Sequence, residues 1–218
     1  MPLEETTGLR DRLVDSLVRR GYVTDTSVED AMRRVPREEF VPQRLRHEAY
    51  IDTPLPIGDG QTISAPHMVA IMAEKLEVRP GHKVLEVGAG SGYHAAVVAE
   101  LVRPDGKVFT VERFESLARF AEENLSRAGY SDTVEVIVGD GSLGLPEQAP
   151  FDRIFVACGA PNIPSPLIEQ LSDEGQMLIP VGGKMYQDLI KIVKRGNKVT
   201  TENHGGCVFV PLIGEHGY

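Results

Sequence analysis

The sequence predicts an α/β protein built on a doubly wound, mostly parallel sheet. Apolar segments of strand length alternate with segments of helical periodicity, which is typical of parallel strands joined by helical crossovers. The predicted strands span 83–87, 107–112, 134–138 and 152–156, and the predicted helices span 92–102, 114–128 and 165–171. After Gly175 the pattern changes to strands with little helix between them, at 176–181, 187–194 and 198–210. Because residues 195–198 resemble a hairpin turn, we expect the sheet to end in antiparallel strands.

The N-terminal segment precedes this alternation and has helical periodicity only. Leucines four residues apart predict an amphipathic helix over 6–20, which Gly21 is placed to end. A second, shorter helix is predicted over 27–35, with Thr26 or Ser27 as its N-cap. We expect these two helices to form an extension in front of the sheet.

A proline- and glycine-rich segment joins the extension to the first clear strand. Residues 50–66 contain enough turn residues to predict a loop, which could hold short strands. Pro66 suits the first turn of the helix that follows, since the missing N–H of proline costs nothing there. Asp59-Gly60 is most simply a turn.

Composition and charge exclude several classes of partner. The formal net charge is −9, which disfavours nonspecific binding to nucleic acid, whose phosphates require clustered cations. Arg33, Arg34 and Arg37 are close in sequence, but Glu38 and Glu39 follow, so we interpret them as a solvated mixed-charge face. The apolar segments are too short to span a membrane, and the first residues lack the pattern of a secretory signal. We expect a cytoplasmic monomer with no nucleic-acid or membrane partner.

Two cysteines, Cys158 and Cys207, lie far apart in apolar or glycine-rich surroundings. They form no CxxC pair and have no histidine nearby at metal-ligand spacing, so we expect no metal site. Buried, reduced thiols are the expected state in the cytosol, and a catalytic thiol is the alternative.

The sharpest local pattern is the run 84–93, VLEVGAGSGY, in which a buried strand leads through a glycine-rich turn into a helix. Gly88, Gly90 and Gly92 permit a tight turn and the close approach of a ligand, and Ser91 lies among them. The helix that follows offers unpaired N–H groups at its N-terminus. Ligands of open parallel sheets bind beyond the carboxyl ends of the strands, where this turn lies. The alternative is a turn that binds nothing.

Acidic residues near this turn indicate the chemistry of the ligand. Tyr93 stands where the dinucleotide fingerprint requires its last Gly or Ala. Glu86, near the end of the first strand, suits a ligand with an ammonium group and would repel a pyrophosphate. Glu112 ends the next strand, where a carboxylate accepts hydrogen bonds from both ribose hydroxyls. A nucleoside joined to an amino acid satisfies all three conditions, which predicts S-adenosyl-L-methionine as the cofactor.

Asp140 and Gly141 follow the third strand of the alternation. A carboxylate there can accept a hydrogen bond from an adenine amino group, and the backbone N–H can donate to a ring nitrogen. By itself this pair is only a turn signal, and its position at a strand end adds weight. Together these residues predict the Rossmann-like fold of class I S-adenosylmethionine-dependent methyltransferases.

The chain resembles the protein-L-isoaspartate (D-aspartate) O-methyltransferase family over nearly all of its length after residue 20. The most specific match is the run 61–68, QTISAPHM, preceded by PLPIG at 54–58. Further matching segments are PFDRI at 150–154, GAP at 159–161, PLIEQL at 166–171, LIPVG at 178–182 and FVPL at 209–212. Cys158 stands where the family usually has a small residue, and the residues after Leu212 do not match longer members.

This resemblance implies residue roles that spacing alone does not give. It implies methylation of the free α-carboxylate of L-isoaspartyl residues in damaged proteins and peptides, which starts repair to aspartate through a succinimide. S-adenosyl-L-homocysteine would be the product of the cofactor. Ser64 is implied as the hydroxyl at the reacting centre, with Thr62, Ile63 and His67 beside the cofactor and Ile57 and Val210 beside the substrate.

We assign one methyltransferase domain, 1–218, in four parts. These are an N-terminal helical extension (1–48), a substrate and cofactor loop (49–68), a cofactor-binding α/β core (83–182) and C-terminal antiparallel strands (183–218).

The reaction explains why no catalytic pair stands out. An α-carboxylate has a pKa near ~3.5, so it is already ionised at neutral pH and needs no general base. The enzyme must align the reacting atoms and exclude water, and Ser64 can donate to one carboxylate oxygen while the other attacks. Without the resemblance, a hydroxyl bonded to its own turn would be the simpler interpretation of Ser64, and a capping or orienting role that of His67.

Two other functions remain to be compared with repair. The fold is also compatible with methylation of a small molecule or a nucleic acid, and with a binding module that has lost transfer. The run 63–67 argues against the first, as does the absence of an Asn/Asp-Pro-Pro-aromatic run. The intact glycines with Glu86 and Glu112 argue against the second.

Overall fold

The computed structural model describes the backbone of residues 3–218 and the side chains from Thr6 onward. Its helices are α1 (Leu3–Arg19), α2 (Thr26–Arg34), α3 (Pro66–Leu76), α4 (Tyr93–Val102), α5 (Glu115–Ala128) and α6 (Ser165–Glu169). Its strands are β1 (Leu55–Gly58), β2 (Gln61–Ile63), β3 (Lys83–Val87), β4 (Lys107–Glu112), β5 (Val134–Val138), β6 (Phe151–Val156), β7 (Leu171–Gly183), β8 (Tyr186–Arg195) and β9 (Lys198–Cys207). Short 3-10 turns span Arg37–Phe40, Gln43–Glu48, Gly141–Leu143 and Pro146–Gln148.

Within residues 3–218, seven strands form one sheet in the order β5-β4-β3-β6-β7-β8-β9. The strands from β5 to β7 run parallel, and β8 and β9 continue the sheet antiparallel. This confirms the predicted doubly wound α/β sheet with antiparallel C-terminal strands. From β3 the chain moves outward to β4 and β5 and then returns to β6 on the other side. Ligands of such sheets bind where the strand order reverses, beyond the carboxyl ends of β3 and β6.

The last strand is shorter than the predicted segment 198–210, because β9 ends at Cys207. Beyond it, Phe209 N–H donates to Gln187 Oε1 at 2.8 Å, so a side chain replaces the strand partner. Pro211 then bridges to Gly159, next to the end of β6. The chain therefore leaves the sheet edge and carries Val210 toward the switch point.

The α2 helix begins one residue earlier than the sequence indicated. Asp25 is its N-cap, and its carboxylate accepts hydrogen bonds from the Ser27 N–H at 2.8 Å and from the Ser27 hydroxyl at 2.6 Å. The prediction of Thr26 or Ser27 as the cap is wrong. A carboxylate also interacts favourably with the positive end of the helix dipole, which Thr and Ser do not.

The N-terminal extension packs against the sheet domain through a buried cation. The Arg37 side chain is fully buried, with its guanidinium 4.7 Å from the centre of the Tyr93 ring. It donates to the carbonyls of Ala49, at 2.9 Å, and Ser64, at 2.8 Å. The interpretation of Arg37 as part of a solvated face is therefore wrong, because its 3-10 turn directs it inward. Two backbone carbonyls and an aromatic face compensate part of the cost of its burial, while its Nη1 has no hydrogen-bond partner among the described residues.

The segment 49–68 forms a small hairpin, since β1 and β2 pair antiparallel. Asp59 and Gly60 have φ values of 49° and 70°, which confirms the predicted turn. The hairpin leads directly into α3, and Pro66 stands in the first turn of that helix. Ser64 therefore lies between β2 and α3.

Candidate active site

Three connected spaces meet at the carboxyl ends of the parallel strands. Cavity A, of 540 Å³ between protein atoms, is lined by the ends of β3 and β4, by Gly141 and by residues 210–213. Cavity B, of 320 Å³, lies between the glycine turn and Ser64. The groove, of 1270 Å³, extends from Ser64 to Lys184 and is open to solvent. Thr62 and Ala157 line all three, so a ligand in the cavities lies next to a ligand in the groove.

The glycine turn has the backbone that the sequence predicted. Its φ values are 95° at Gly88, 54° at Gly90 and 84° at Gly92, in the left-handed region that favours glycine. A Cβ at Gly90 would lie 3.3 Å from Cδ1 of Ile57, so the β1 strand covers this turn closely. The buried Asn124 side chain donates to the Ser91 carbonyl at 2.9 Å and fixes the turn from below.

Glu112 connects β4 to the glycine turn. Its Oε2 accepts from the Gly90 N–H at 2.9 Å, and its Oε1 accepts from the Phe114 N–H at 3.0 Å. An ionised carboxylate has about four acceptor sites, so each oxygen keeps capacity for one more donor. Glu112 lines cavity A. The arrangement can therefore hold two hydroxyl groups side by side.

Glu86 lies at the floor of cavity B with no exposed surface. Its Oε2 accepts from the Thr110 hydroxyl at 2.5 Å, and its Oε1 has no hydrogen-bond partner among the described residues. Burial raises the pKa of Glu86 well above its ordinary value; the Thr110 bond opposes that shift, and the nearby Glu112 charge adds to it. A cation from outside the protein would favour the ionised form.

Asp140 and Gly141 are adjacent in sequence but have different surroundings in the structure. Gly141 lines cavity A, and a Cβ there would lie 2.5 Å from Cγ1 of Val87, so only glycine fits. The Asp140 carboxylate instead accepts from the Ser142 N–H at 3.0 Å and from the Glu215 N–H at 2.8 Å. Burial by itself would raise the pKa of Asp140, but these two bonds and the hydrogen bond from the Ser142 hydroxyl lower it. The C-terminal segment thus binds the carboxylate that was assigned to adenine, and that assignment stays a prediction.

Ser64 stands at the boundary between cavity B and the groove and lines both. Thr62 lies beside it, and Ile63 lines cavity B. Arg37 holds the Ser64 backbone through its carbonyl. The sequence run 61–68 is therefore positioned where a cofactor and an acceptor would meet.

His67 lies in the groove and lines neither cavity. Asp52 Oδ1 accepts from its backbone N–H at 2.9 Å and lies 2.8 Å from its ring Nδ1. Asp52 Oδ2 accepts in turn from Arg20, at 2.7 Å. Burial by itself would raise the pKa of Asp52, but the hydrogen bonds from His67 and Arg20 lower it. The His67 ring is thus paired with Asp52, and its cofactor role stays a prediction.

The groove has a charge pattern of its own. Among the described residues that line it, Lys184 is cationic and none is acidic. Its walls include the apolar side chains of Met68, Val208, Phe209 and Val210. Such a surface suits an anionic group presented on a partly apolar chain.

The thiols do not support the alternative of a catalytic cysteine. Cys158 and Cys207 are buried and unpaired. Burial raises the pKa of Cys158, and raises that of Cys207 to about 11, which disfavours the reactive thiolate. Within residues 3–218, no cluster of His, Cys, Asp and Glu could hold a metal ion. No helix in that range is long and apolar enough to cross a membrane.

Sequence reasoning located Thr62, Ile63, Ser64, Glu86, the glycine turn and Glu112 in one connected site, but it missed several partners. Arg37 and Asp52 orient Ser64 and His67 through contacts that no local pattern signals. His94, on the first turn of α4, lines cavity B and was also missed. Its only sequence signal is its position directly after the glycine turn.

The residues fit a sulfonium nucleoside. Cavity A offers two free acceptor sites on Glu112 and a glycine-walled space, and cavity B offers the unpartnered oxygen of Glu86. A nucleoside with an amino-acid tail matches both cavities, because its ribose hydroxyls fit Glu112 and its ammonium group fits Glu86. The fold and the site define a class I S-adenosylmethionine-dependent methyltransferase.

Comparison with known proteins narrows this class to one family. The family profile of protein-L-isoaspartate(D-aspartate) O-methyltransferase (PCMT) matches residues 9–217. The chain belongs to this family. The fold class and the family resemblance inferred from the sequence are thereby confirmed.

Two relatives match over nearly their whole length. The protein-L-isoaspartate O-methyltransferase of Methanopyrus kandleri is 60% identical over 210 residues, which cover 96% of this chain and 93% of the relative. That of Hyperthermus butylicus is 58% identical and covers 96% and 90%. The crystal structure of the Plasmodium falciparum PCMT, in complex with S-adenosyl-L-homocysteine, is similar with a TM-score of 0.84 at 29% identity, covering 94% of this chain and 98% of that one.

Proposed function

We propose that this protein transfers a methyl group from S-adenosyl-L-methionine to the free α-carboxylate of L-isoaspartyl residues in damaged proteins and peptides. The ester then starts repair to aspartate through a succinimide. The observation that carries the proposal is the position of Ser64, which lines both cavity B and the groove. Family membership supports the same acceptor and argues against the small-molecule, nucleic-acid and binding-module alternatives.

The cofactor would occupy cavities A and B. Glu112 would accept hydrogen bonds from the ribose hydroxyls, and Gly141, with its neighbouring backbone, would border the adenine. Gly88, Gly90 and Ser91 would surround the amino-acid end with backbone, and Glu86 would accept from its ammonium group. Gly92 lines none of the three spaces, and a Cβ there would lie 3.0 Å from Cγ of Leu125 on α5, so its cofactor contact stays a prediction. When bound, S-adenosyl-L-methionine supplies a methyl group that its sulfonium centre already activates.

The acceptor needs orientation rather than proton removal. Its carboxyl group has a pKa near ~3.5 in water, so it arrives ionised at neutral pH. The Ser64 hydroxyl would donate to one oxygen and leave the other free to attack. Lys184 attracts the anion into the groove, and Val210 offers backbone and apolar surface to the peptide. When a peptide binds, the largely apolar groove walls would displace part of the water around the carboxylate, which raises its reactivity.

A transfer assay tests this function. One peptide contains an L-isoaspartyl residue, and its twin contains a normal aspartyl residue at the same position. We expect base-labile methyl ester on the first peptide only. Equal labelling of both, or labelling of neither by a protein that binds S-adenosyl-L-homocysteine, would refute the acceptor.

We also propose that the protein acts in the cytoplasm as a monomer. The two buried, unpaired cysteines fit a reducing compartment. Sedimentation equilibrium at micromolar concentration tests the second part, and a dimer mass would contradict it.

A further inference from the structure

Cavity B contains, besides Glu86, a second buried side chain whose polar atoms have no partner among the described residues. His94 is 7% exposed, and neither its Nδ1 nor its Nε2 has a hydrogen-bond partner among the described residues. Burial lowers the pKa of His94 to about 3, so its imidazole is neutral. A neutral imidazole carries one N–H donor and one bare acceptor nitrogen. Leaving both unused in the interior opposes folding, and such groups are rare unless a ligand uses them.

The surroundings of His94 hold the ring in one place. The ring lies 4.3 Å from that of Phe155, centre to centre, and Phe155 is fully buried on β6. His94 belongs to the first turn of α4, whose N-cap is Gly92. The positive end of that helix dipole favours a carboxylate nearby. A fixed donor at a helix N-terminus is suited to a ligand carboxylate.

Glu86 and His94 line the same cavity with complementary capacities. The free Glu86 oxygen can only accept when ionised, whereas His94 can both donate and accept. An α-amino acid group combines an ammonium donor with a carboxylate acceptor. Glu86 can accept from the ammonium group but would repel the carboxylate. His94 offers that carboxylate a side-chain donor beside the backbone of the glycine turn.

We propose that His94 is a cofactor-binding residue that contacts the amino-acid end of S-adenosyl-L-methionine. Its N–H donates to the cofactor carboxylate, and Glu86 accepts from the neighbouring ammonium group. This inference rests on the proposed function, because it takes the ligand of cavity B to be that cofactor. His94 would act together with the glycine turn and Glu86, and it would select a ligand with an intact amino-acid tail.

Two ligands that differ in this tail give the test. S-adenosyl-L-homocysteine carries the amino acid, whereas 5′-methylthioadenosine keeps the nucleoside and sulfur and lacks it. Calorimetry measures the Kd of both ligands for the wild type, His94→Leu and His94→Gln. The matched control is His82→Leu, since His82 is also partly buried but lies before β3, at the opposite end of the sheet.

We expect His94→Leu to weaken binding of S-adenosyl-L-homocysteine roughly 10- to 100-fold, as for the loss of one hydrogen bond to a charged group. Binding of 5′-methylthioadenosine should stay within about twofold, and His94→Gln should recover most of the loss because an amide also donates and accepts. The ligand-free His94→Leu protein should unfold at a temperature no lower than the wild type, since it loses an unpartnered polar group.

Three results would overturn the proposal. Equal weakening of both ligands would show that His94 maintains the fold of the site. Unchanged binding of S-adenosyl-L-homocysteine would show that the ring makes no contact with the tail. Failure of the wild type to bind S-adenosyl-L-homocysteine would remove the proposed function as well, whereas the first two results would leave it intact.

Discussion

Replacement of Glu112 by glutamine tests the cofactor site most directly. The carboxylate now receives two backbone N–H groups, one on each oxygen, and would receive two ribose hydroxyls in addition. Glutamine keeps the shape but has only one acceptor oxygen, so its NH₂ group must face either the Gly90 or the Phe114 donor. The variant therefore loses ribose bonds and loosens the glycine turn together.

The size of the effect follows from the bonds that are lost. A hydrogen bond to a charged group contributes about 1.5–3 kcal/mol, so two of them amount to roughly 3–6 kcal/mol. At about 1.4 kcal/mol for each tenfold change, Kd should rise by ~10² to ~10⁴. Glu112→Lys should abolish binding, since it places a cation where two donors already point, and Glu112→Asp should weaken it.

Calorimetry with S-adenosyl-L-homocysteine measures these values. Glu115→Gln is the matched control, because Glu115 lies in the first turn of α5 and its side chain is 67% exposed in a pair with Arg119. The control should bind like the wild type. A folded Glu112→Gln protein whose Kd stays within about twofold of the wild type would refute the assignment of Glu112 to the ribose.

Three further outcomes follow from the site and the core. Ser64→Ala should lower kcat for an isoaspartyl peptide by ~10-fold or more, while the Kd of S-adenosyl-L-homocysteine changes less than about threefold. The reason is that one neutral hydrogen bond contributes ~1 kcal/mol and that loss of orientation adds to the effect on kcat. Equal losses in kcat and in affinity would contradict the placement of Ser64 at the acceptor. Because burial raises the pKa of Glu86, the ligand-free protein should lose stability as pH rises from the ordinary carboxyl value, about 4.3, through the raised value of the folded state. Urea unfolding across that range should show a smaller loss for Glu86→Gln, and parallel curves would argue against the shift. Phe40→Ala should cost about 3–5 kcal/mol of unfolding free energy, because Phe40 is fully buried against Tyr93; a cost below ~1 kcal/mol would mean that the extension is dispensable to the core.

The bounds of the parallel strands could be predicted closely because the buried positions form short apolar runs in the sequence. The predicted bounds 83–87, 107–112 and 134–138 coincide with β3, β4 and β5. Each is rich in apolar residues, has a glycine or a charged residue at its boundary, and follows a helix. Short-range patterns of this kind also placed Glu86 and Glu112 at strand ends, and parallel pairing then brought those ends together.

Contacts between distant segments could not be predicted in the same way. Arg37 resembles a surface residue in sequence, since charged residues surround it, yet it is buried under Ser64. The carbonyls that receive it belong to Ala49 and Ser64, and neither position has a local signal for that contact. Likewise, the end of β9 depends on a side chain of β8, Gln187, which takes the place of a strand partner.

The C-terminal segment shows why an acidic residue at a strand end does not by itself identify a ligand contact. Asp140 stands at the predicted place, but the Glu215 N–H, 75 residues away in sequence, donates to it. The Ser142 hydroxyl, which donates to the same carboxylate, accepts from the His216 N–H at 3.1 Å. These bonds fix the Asp140–Ser142 turn, so that Gly141 is held against Val87 at the wall of cavity A. The carboxylate therefore shapes the wall of cavity A through the backbone it anchors, and its place at the end of a strand would be the same for this role and for a ligand contact.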